Sequence, residues 1–163
     1  MTRATATTEI IIETAAWKDA WPGYAAAIRA LARAVVRHET LLGRRLEGQF
    51  VVVLADDQRL KNLNRQFRSR NKPTNVLSFP DDEVPFGGIA LAFETIEVES
   101  QGQGKTFINH AKHLILHGFL HLLGHDHKRA GEARLMEATE IAILASMCIP
   151  NPYLPMSKGH GRA

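Results

Sequence analysis

The sequence predicts an α+β fold, a single domain in which a mixed sheet of about four strands is packed by helices and a metal site sits on a helix followed by a glycine turn. Three observations predict it. Short β-branched or continuously apolar runs occur at 9–13, 49–55, 75–79 and 88–93. Stretches of helical periodicity separate and follow these runs. The segment H-G-F-L-H-L-L-G-H-D-H at 117–127 places histidines at helical spacing ahead of a glycine.

Taken in order, E-I-I-I-E at 9–13 reads as a strand. Pro22, suited to a helix start, precedes an alanine-rich stretch with Ala26, Leu31 and Val35 on an apolar face. After a turn region at 43–48, Q-F-V-V-V-L-A at 49–55 has the continuous apolar pattern of a strand covered on both sides. Asp56 or Asp57 then caps a helix over 59–67 with Leu60, Leu63 and Phe67 at helical spacing. Two strands follow, 75–79 and 88–93, joined by a Pro, Asp and Gly connection. Residues 94–104 read equally as a strand extension or a frayed helix, ending in glycines. The metal helix is predicted over 105–123 and a last amphipathic helix over 131–147. Residues 1–149 are assigned to the one domain, and 150–163, rich in proline and glycine, to an extended or disordered tail. No internal repeat is present.

Composition narrows the class. Apolar content of 45% and charged content of 23% are ordinary for a globular domain. The single cysteine, Cys148, excludes an intramolecular disulfide and fits a reducing compartment. No apolar leader or membrane-length segment is evident, so a cytoplasmic protein without a membrane partner is expected. The net charge of +3 is too mild to name an acidic partner by itself.

The chemistry concentrates at 117–127. His117 and His121 are four residues apart, so on a helix both imidazoles lie on one face and can converge on one cation. Gly124 readily takes the left-handed conformation that ends a helix, after which His127 can return towards the first two. Neutral imidazole suits Zn2+, and three protein ligands leave a fourth position open, as in catalytic sites. A lone histidine on an apolar helix is more often a packed core residue, but three at offsets 0, 4 and 10 around a glycine favour a metal site. His113 extends the stripe yet lies about 12 Å along the axis from His121, too far to share an ion. His125 is the weaker alternative to His127. The spacing also occurs in metallopeptidases that carry a glutamate beside the first histidine, where this chain has Gly118. Peptide hydrolysis by that route therefore lacks its base. Asp126 is the nearest carboxylate in sequence, either orienting a ligating imidazole or transferring a proton.

A second constellation lies between 58 and 80, where Arg59, Lys61, Arg65, Arg68, Arg70 and Lys72 occur without an acidic residue. The first three read as the solvated face of a helix. Arg68, Arg70 and Lys72 fall in the loop R-S-R-N-K-P-T, where guanidinium groups can clamp a phosphate and stabilise charge developing in phosphoryl transfer. Ser78, on the strand that follows, joins Arg70 and Lys72 as a candidate substrate contact.

With R-S-R-N-K-P-T-N-V-L-S-F-P at 68–80 and H-G-F-L-H-L-L-G-H-D-H at 117–127, supported by M-E-A-T-E-I-A-I-L at 136–144 and the closing P-Y, the chain resembles the YbeY family of metal-dependent endoribonucleases. Order and spacing agree over roughly 49–153. The resemblance implies zinc on His117, His121 and His127, a functionally important Arg68, and cleavage of single-stranded RNA rather than DNA. It further implies work on ribosomal RNA at the small ribosomal subunit, in 3′-end maturation and ribosome quality control. The alternatives are a zinc metallopeptidase, opposed by Gly118, and a non-catalytic RNA- or ribosome-binding assembly factor with a structural metal.

Overall fold

The computed structural model describes residues 5–68, 74–81, 83, 85–125 and 129–154. Within them the chain runs β1 (Ala6–Ile12), α1 (Ala16–Ala20), α2 (Tyr24–Leu41), β2 (Gly48–Ala55), α3 (Asp57–Arg68), β3 (Val76–Pro80), β4 (Phe86–Ala92), α4 (Phe93–Gln103), α5 (Phe107–Leu122) and α6 (Ala130–Ser146). The four strands form one mixed sheet in the order β1-β2-β4-β3, the architecture the sequence predicts. β2 pairs in parallel with β1 and with β4, whereas β3 runs antiparallel to β4.

The alternation of side chains along β2 and β4 divides the core between the two faces of the sheet. Phe50, Val52 and Leu54 of β2 and Ile89 and Leu91 of β4 belong to the larger cluster, with Ile28, Leu31 and Val35 of α2 and Ile115 and Phe119 of α5. There the Phe50 ring stacks between those of Phe119 and Phe86, with centroids 4.2 and 4.7 Å away. The opposite face carries Ala55, Leu77, Ala90 and Ala92 against Leu60 of α3. Large residues support α5 and small ones admit α3. Truncating a ring as buried as Phe119 costs about 3–5 kcal/mol, so the seat of α5 is among the firmest parts of the molecule.

Several elements differ from the sequence expectation or settle what it left open. α1 is too short to carry a periodic pattern, and is held by fully buried Trp17, whose indole N–H donates to the Ala55 carbonyl at 2.8 Å. The ambiguous 94–104 segment is the helix α4, closed by Gly104 at φ +65°. Cross-capping fixes its start: the Thr95 N–H donates to the Asp57 carboxylate and the Asp57 N–H donates to Glu94, both at 2.9 Å. Asp56 caps α3 by accepting from the Arg59 N–H at 2.8 Å. Arg68, expected in the loop, is instead the last residue of α3, since nothing between Asp57 and Arg68 breaks a helix. The segment from Pro150, expected to be extended or disordered, turns at 151–154, where the Tyr153 N–H donates to Asn151 Oδ1 at 2.8 Å.

Candidate metal centre

α5 begins at Thr106, whose hydroxyl accepts from the Asn109 N–H at 3.0 Å. It ends in a left-handed turn at Gly124, φ +99°. There the Gly124 N–H donates to the His121 carbonyl at 3.0 Å and the His125 N–H to the Leu120 carbonyl at 2.9 Å, the paired bonds of a Schellman cap. The chain is thereby reversed two residues before His127, as its predicted return requires. Asp126 and His127 themselves lie outside the described residues.

The described part of the histidine set comes together as spacing predicts. The rings of His117 and His121 are 4.9 Å apart between centroids and nearly perpendicular at 83°. Behind them stands Glu140 of α6, fully buried. His117 Nδ1 donates to Glu140 Oε2 at 2.6 Å, which leaves Nε2 as the nitrogen a metal would take. The other carboxylate oxygen is 2.8 Å from His113 Nε2 and accepts from the Tyr153 hydroxyl. Burial alone would raise the pKa of Glu140, but hydrogen bonds from His113, His117 and Tyr153 outweigh it and hold the carboxyl down at about 2. Glu140 is therefore a carboxylate throughout the neutral range. Burial and then this same hydrogen bond push the Tyr153 hydroxyl above its ordinary value.

The surplus histidines each find a carboxylate. His113 shares Glu140 with His117. His110 faces Glu99 at 2.9 Å, a carboxylate that also accepts from the Asn75 amide at 3.0 Å. Burial lowers the pKa of His110, against the pull of Glu99. His125 Nε2 meets buried Glu39 of α2 at 2.6 Å, and Arg44 binds the same carboxylate at 2.9 Å. His125, the weaker candidate ligand, thus has its Nε2 engaged in anchoring the turn to α2.

Gly118 faces the sheet. A Cβ there would stand 2.7 Å from Ile89 Cγ2, so the absent side chain lets α5 settle on β4. A metallopeptidase glutamate at this position would start inside the core. Register places Ser78 opposite Ile89, hence on the face of the sheet that carries α5. The Arg68 side chain, Arg70 and Lys72 lie outside the described residues. No group of three potential metal-binding side chains occurs among the described residues, the set lacking His127.

Glu140 and Tyr153 are the site residues that sequence reasoning missed. Glu140 left a trace: Met136, Glu140, Ile143 and Leu144 form the buried stripe of α6, and a carboxylate on such a stripe needs partners. Tyr153 had no comparable signal beyond its place in the closing P-Y.

Residues 13–148 match the family model described as endoribonuclease YbeY. A protein named endoribonuclease YbeY from a Bradyrhizobium species is 40% identical over 158 residues, covering 90% of this chain and 92% of its own. One of the same name from a Chelativorans species is 43% identical over 141 residues, covering 82% and 86%. The solution structure of a Thermotoga maritima protein shares the fold with a TM-score of 0.59 at 22% identity, covering 86% of this chain and 91% of its own. The four-stranded sheet, the histidine-bearing α5 seated on it and these relatives lead to one assignment: the chain belongs to the endoribonuclease YbeY family.

Proposed function

We propose that the chain is a metal-dependent endoribonuclease that cleaves single-stranded ribosomal RNA in the cytoplasm, at the small ribosomal subunit. Its roles are 3′-end maturation of small-subunit ribosomal RNA and ribosome quality control. Zinc is the metal, one ion per chain, held by His117, His121 and His127. The observation that carries this reading is the pair of neighbouring imidazoles on α5, one held at Nδ1 by the buried carboxylate of Glu140. That donor set fits zinc, because Glu140 fixes the neutral tautomer and presents the opposite nitrogen. Membership of a family named for RNA cleavage supplies the reaction class.

When bound, zinc supplies Lewis-acid polarisation of a phosphoryl oxygen and lowers the pKa of water. The remaining work falls to side chains. Glu140 keeps the His117 proton on Nδ1 and the ring in place. Asp126 orients a neighbouring imidazole. Arg68, at the end of α3, stabilises the negative charge that grows on the scissile phosphate, replacing the carboxylate that position 118 cannot hold. Arg70, Lys72 and Ser78 bind the RNA strand.

The test gives purified protein of measured metal content single-stranded RNA and casein in parallel, with and without chelator. RNA cleavage that stops on chelation and returns with zinc, with casein intact, is expected. Fully zinc-loaded protein that leaves RNA uncut, alone and with ribosomal subunits, contradicts the proposal and leaves an assembly factor.

A further inference from the structure

The stripe of α5 that carries His121 and His117 continues towards the start of the helix through His113 and Asn109, at four-residue steps of about 6 Å. At that end the surface hollows into a cavity of about 420 Å³, a size within the range of small-molecule sites. One side is apolar, formed by Leu144, Ile149 and Pro152. The other side carries Lys105, Asn109 and His113.

The polar groups differ in what they already do. His113 is occupied with Glu140 and the Tyr153 hydroxyl. By contrast, neither the Lys105 ammonium nor the Asn109 carboxamide makes a hydrogen bond or ion pair among the described residues, although both residues are half-buried. Partial burial lowers the Lys105 pKa, opposed by the charge of Glu99. A half-buried amide and ammonium without partners beside an apolar wall suit a ligand with a flat apolar face, a hydrogen-bonding edge and a nearby negative charge. A nucleotide has all three. A free inorganic anion would leave the apolar wall unused, and a purely apolar ligand would leave Asn109 and Lys105 unsatisfied.

Position agrees with chemistry. His113 lines the cavity, and its ring centroid is 6.4 Å from that of His117. The Tyr153 ring, 41% exposed, stands edge-on to His113 at 5.3 Å. One helical turn thus separates cavity from metal centre, the scale of one step along a single strand.

We infer that this cavity is a substrate subsite that takes the base and ribose of an RNA nucleotide adjacent to the cleaved bond, Asn109 reading the base edge and Lys105 binding phosphate. The inference rests on the ribonuclease reading given above. It makes Asn109 a specificity-determining residue, remote from the metal ligands.

Two measurements test it together. Zinc-loaded protein is titrated with each of the four nucleoside 5′-monophosphates while backbone amide resonances are followed. Cleavage positions and rates on an unstructured RNA are then mapped for wild type, Asn109→Ala, Asn109→Asp and Lys105→Ala. At least one monophosphate should shift the resonances of residues 105–113, with binding weakened tenfold or more in Lys105→Ala. Asn109→Ala should level the preference among cleavage positions, and Asn109→Asp, which keeps the size but removes the donor, should redirect it. Metal content should stay at the wild-type value in all three, and Lys105→Ala should raise KM more than it lowers kcat. Wild-type cleavage with an unchanged pattern in both Asn109 variants, and no nucleotide-dependent shift at 105–113, overturns the subsite while the nuclease reading stands. Nucleotide binding in the cavity of a zinc-loaded protein that cuts no RNA overturns both.

Discussion

Two buried glutamates receive histidines from the same stretch of chain, and they do different work. Glu140 is fully buried within α6 and meets His113, His117 and Tyr153, none of which carries a fixed charge. Glu39, 1% exposed near the end of α2, meets His125 and the permanent cation Arg44. The Arg44 side chain is 43% exposed, so that pairing reaches solvent. Glu140 instead shares its two oxygens among three uncharged hydrogen-bond partners, and those bonds fix the positions of the partners. One of these belongs to the imidazole pair, so Glu140 sets the tautomer and angle of His117. Glu39 holds the turn that follows α5 and acts on the fold. A buried Glu–His contact thus has a meaning only once the other nitrogen of the imidazole is considered.

The expected effects separate the two roles. His117→Ala removes a proposed ligand and one of the three partners of Glu140 at once. It should abolish stoichiometric zinc binding and lower RNA cleavage by more than about 100-fold, since loss of an outer partner alone reaches that range. Metal analysis beside a cleavage assay checks it. Arg68→Ala belongs to neither glutamate and should leave zinc content and melting temperature unchanged, yet slow cleavage on the order of 100-fold with RNA binding within a few-fold. Arg68→Lys should recover only part of the rate, because the charge remains without the planar fork. If Arg68→Ala instead weakened binding and spared single-turnover cleavage, its role would be affinity. Glu39→Gln should cost about 1–3 kcal/mol in denaturant unfolding, the range for disturbing a buried hydrogen-bonded group, with zinc per folded chain unchanged. His125→Ala should cost less, about 1 kcal/mol, because Arg44 still satisfies Glu39. Zinc loss in His125→Ala would make His125 a ligand.

What was legible in the sequence depended on how local its cause is. The strands and α5 carry their patterns within themselves: Phe50, Val52 and Leu54 alternate into one core, and His117 and His121 meet because a helix turns every 3.6 residues. The reversal after α5 was readable from Gly124, whose positive φ few other residues adopt readily. α4 was not readable, since its start is held by Asp57 across a separation of 38 residues. Glu140 signals only that a buried charge needs partners; that these are His113, His117 and Tyr153 follows from how α5 and α6 pack. Tyr153 was the least legible, because the turn that returns it to α6 lies in a stretch whose prolines read as a tail.

The central claim is that Glu140 serves the metal and Glu39 serves the fold. Zinc dissociation constants measured by competition with a chromophoric chelator, for wild type, Glu140→Gln and Glu39→Gln at a pH where all three are folded, test it most directly. Glu140→Gln should bind zinc about 10–100-fold more weakly, as for loss of a carboxylate behind a ligating imidazole, and Glu39→Gln within a few-fold of wild type. Equal affinities for Glu140→Gln and wild type, or weakening confined to Glu39→Gln, would contradict it.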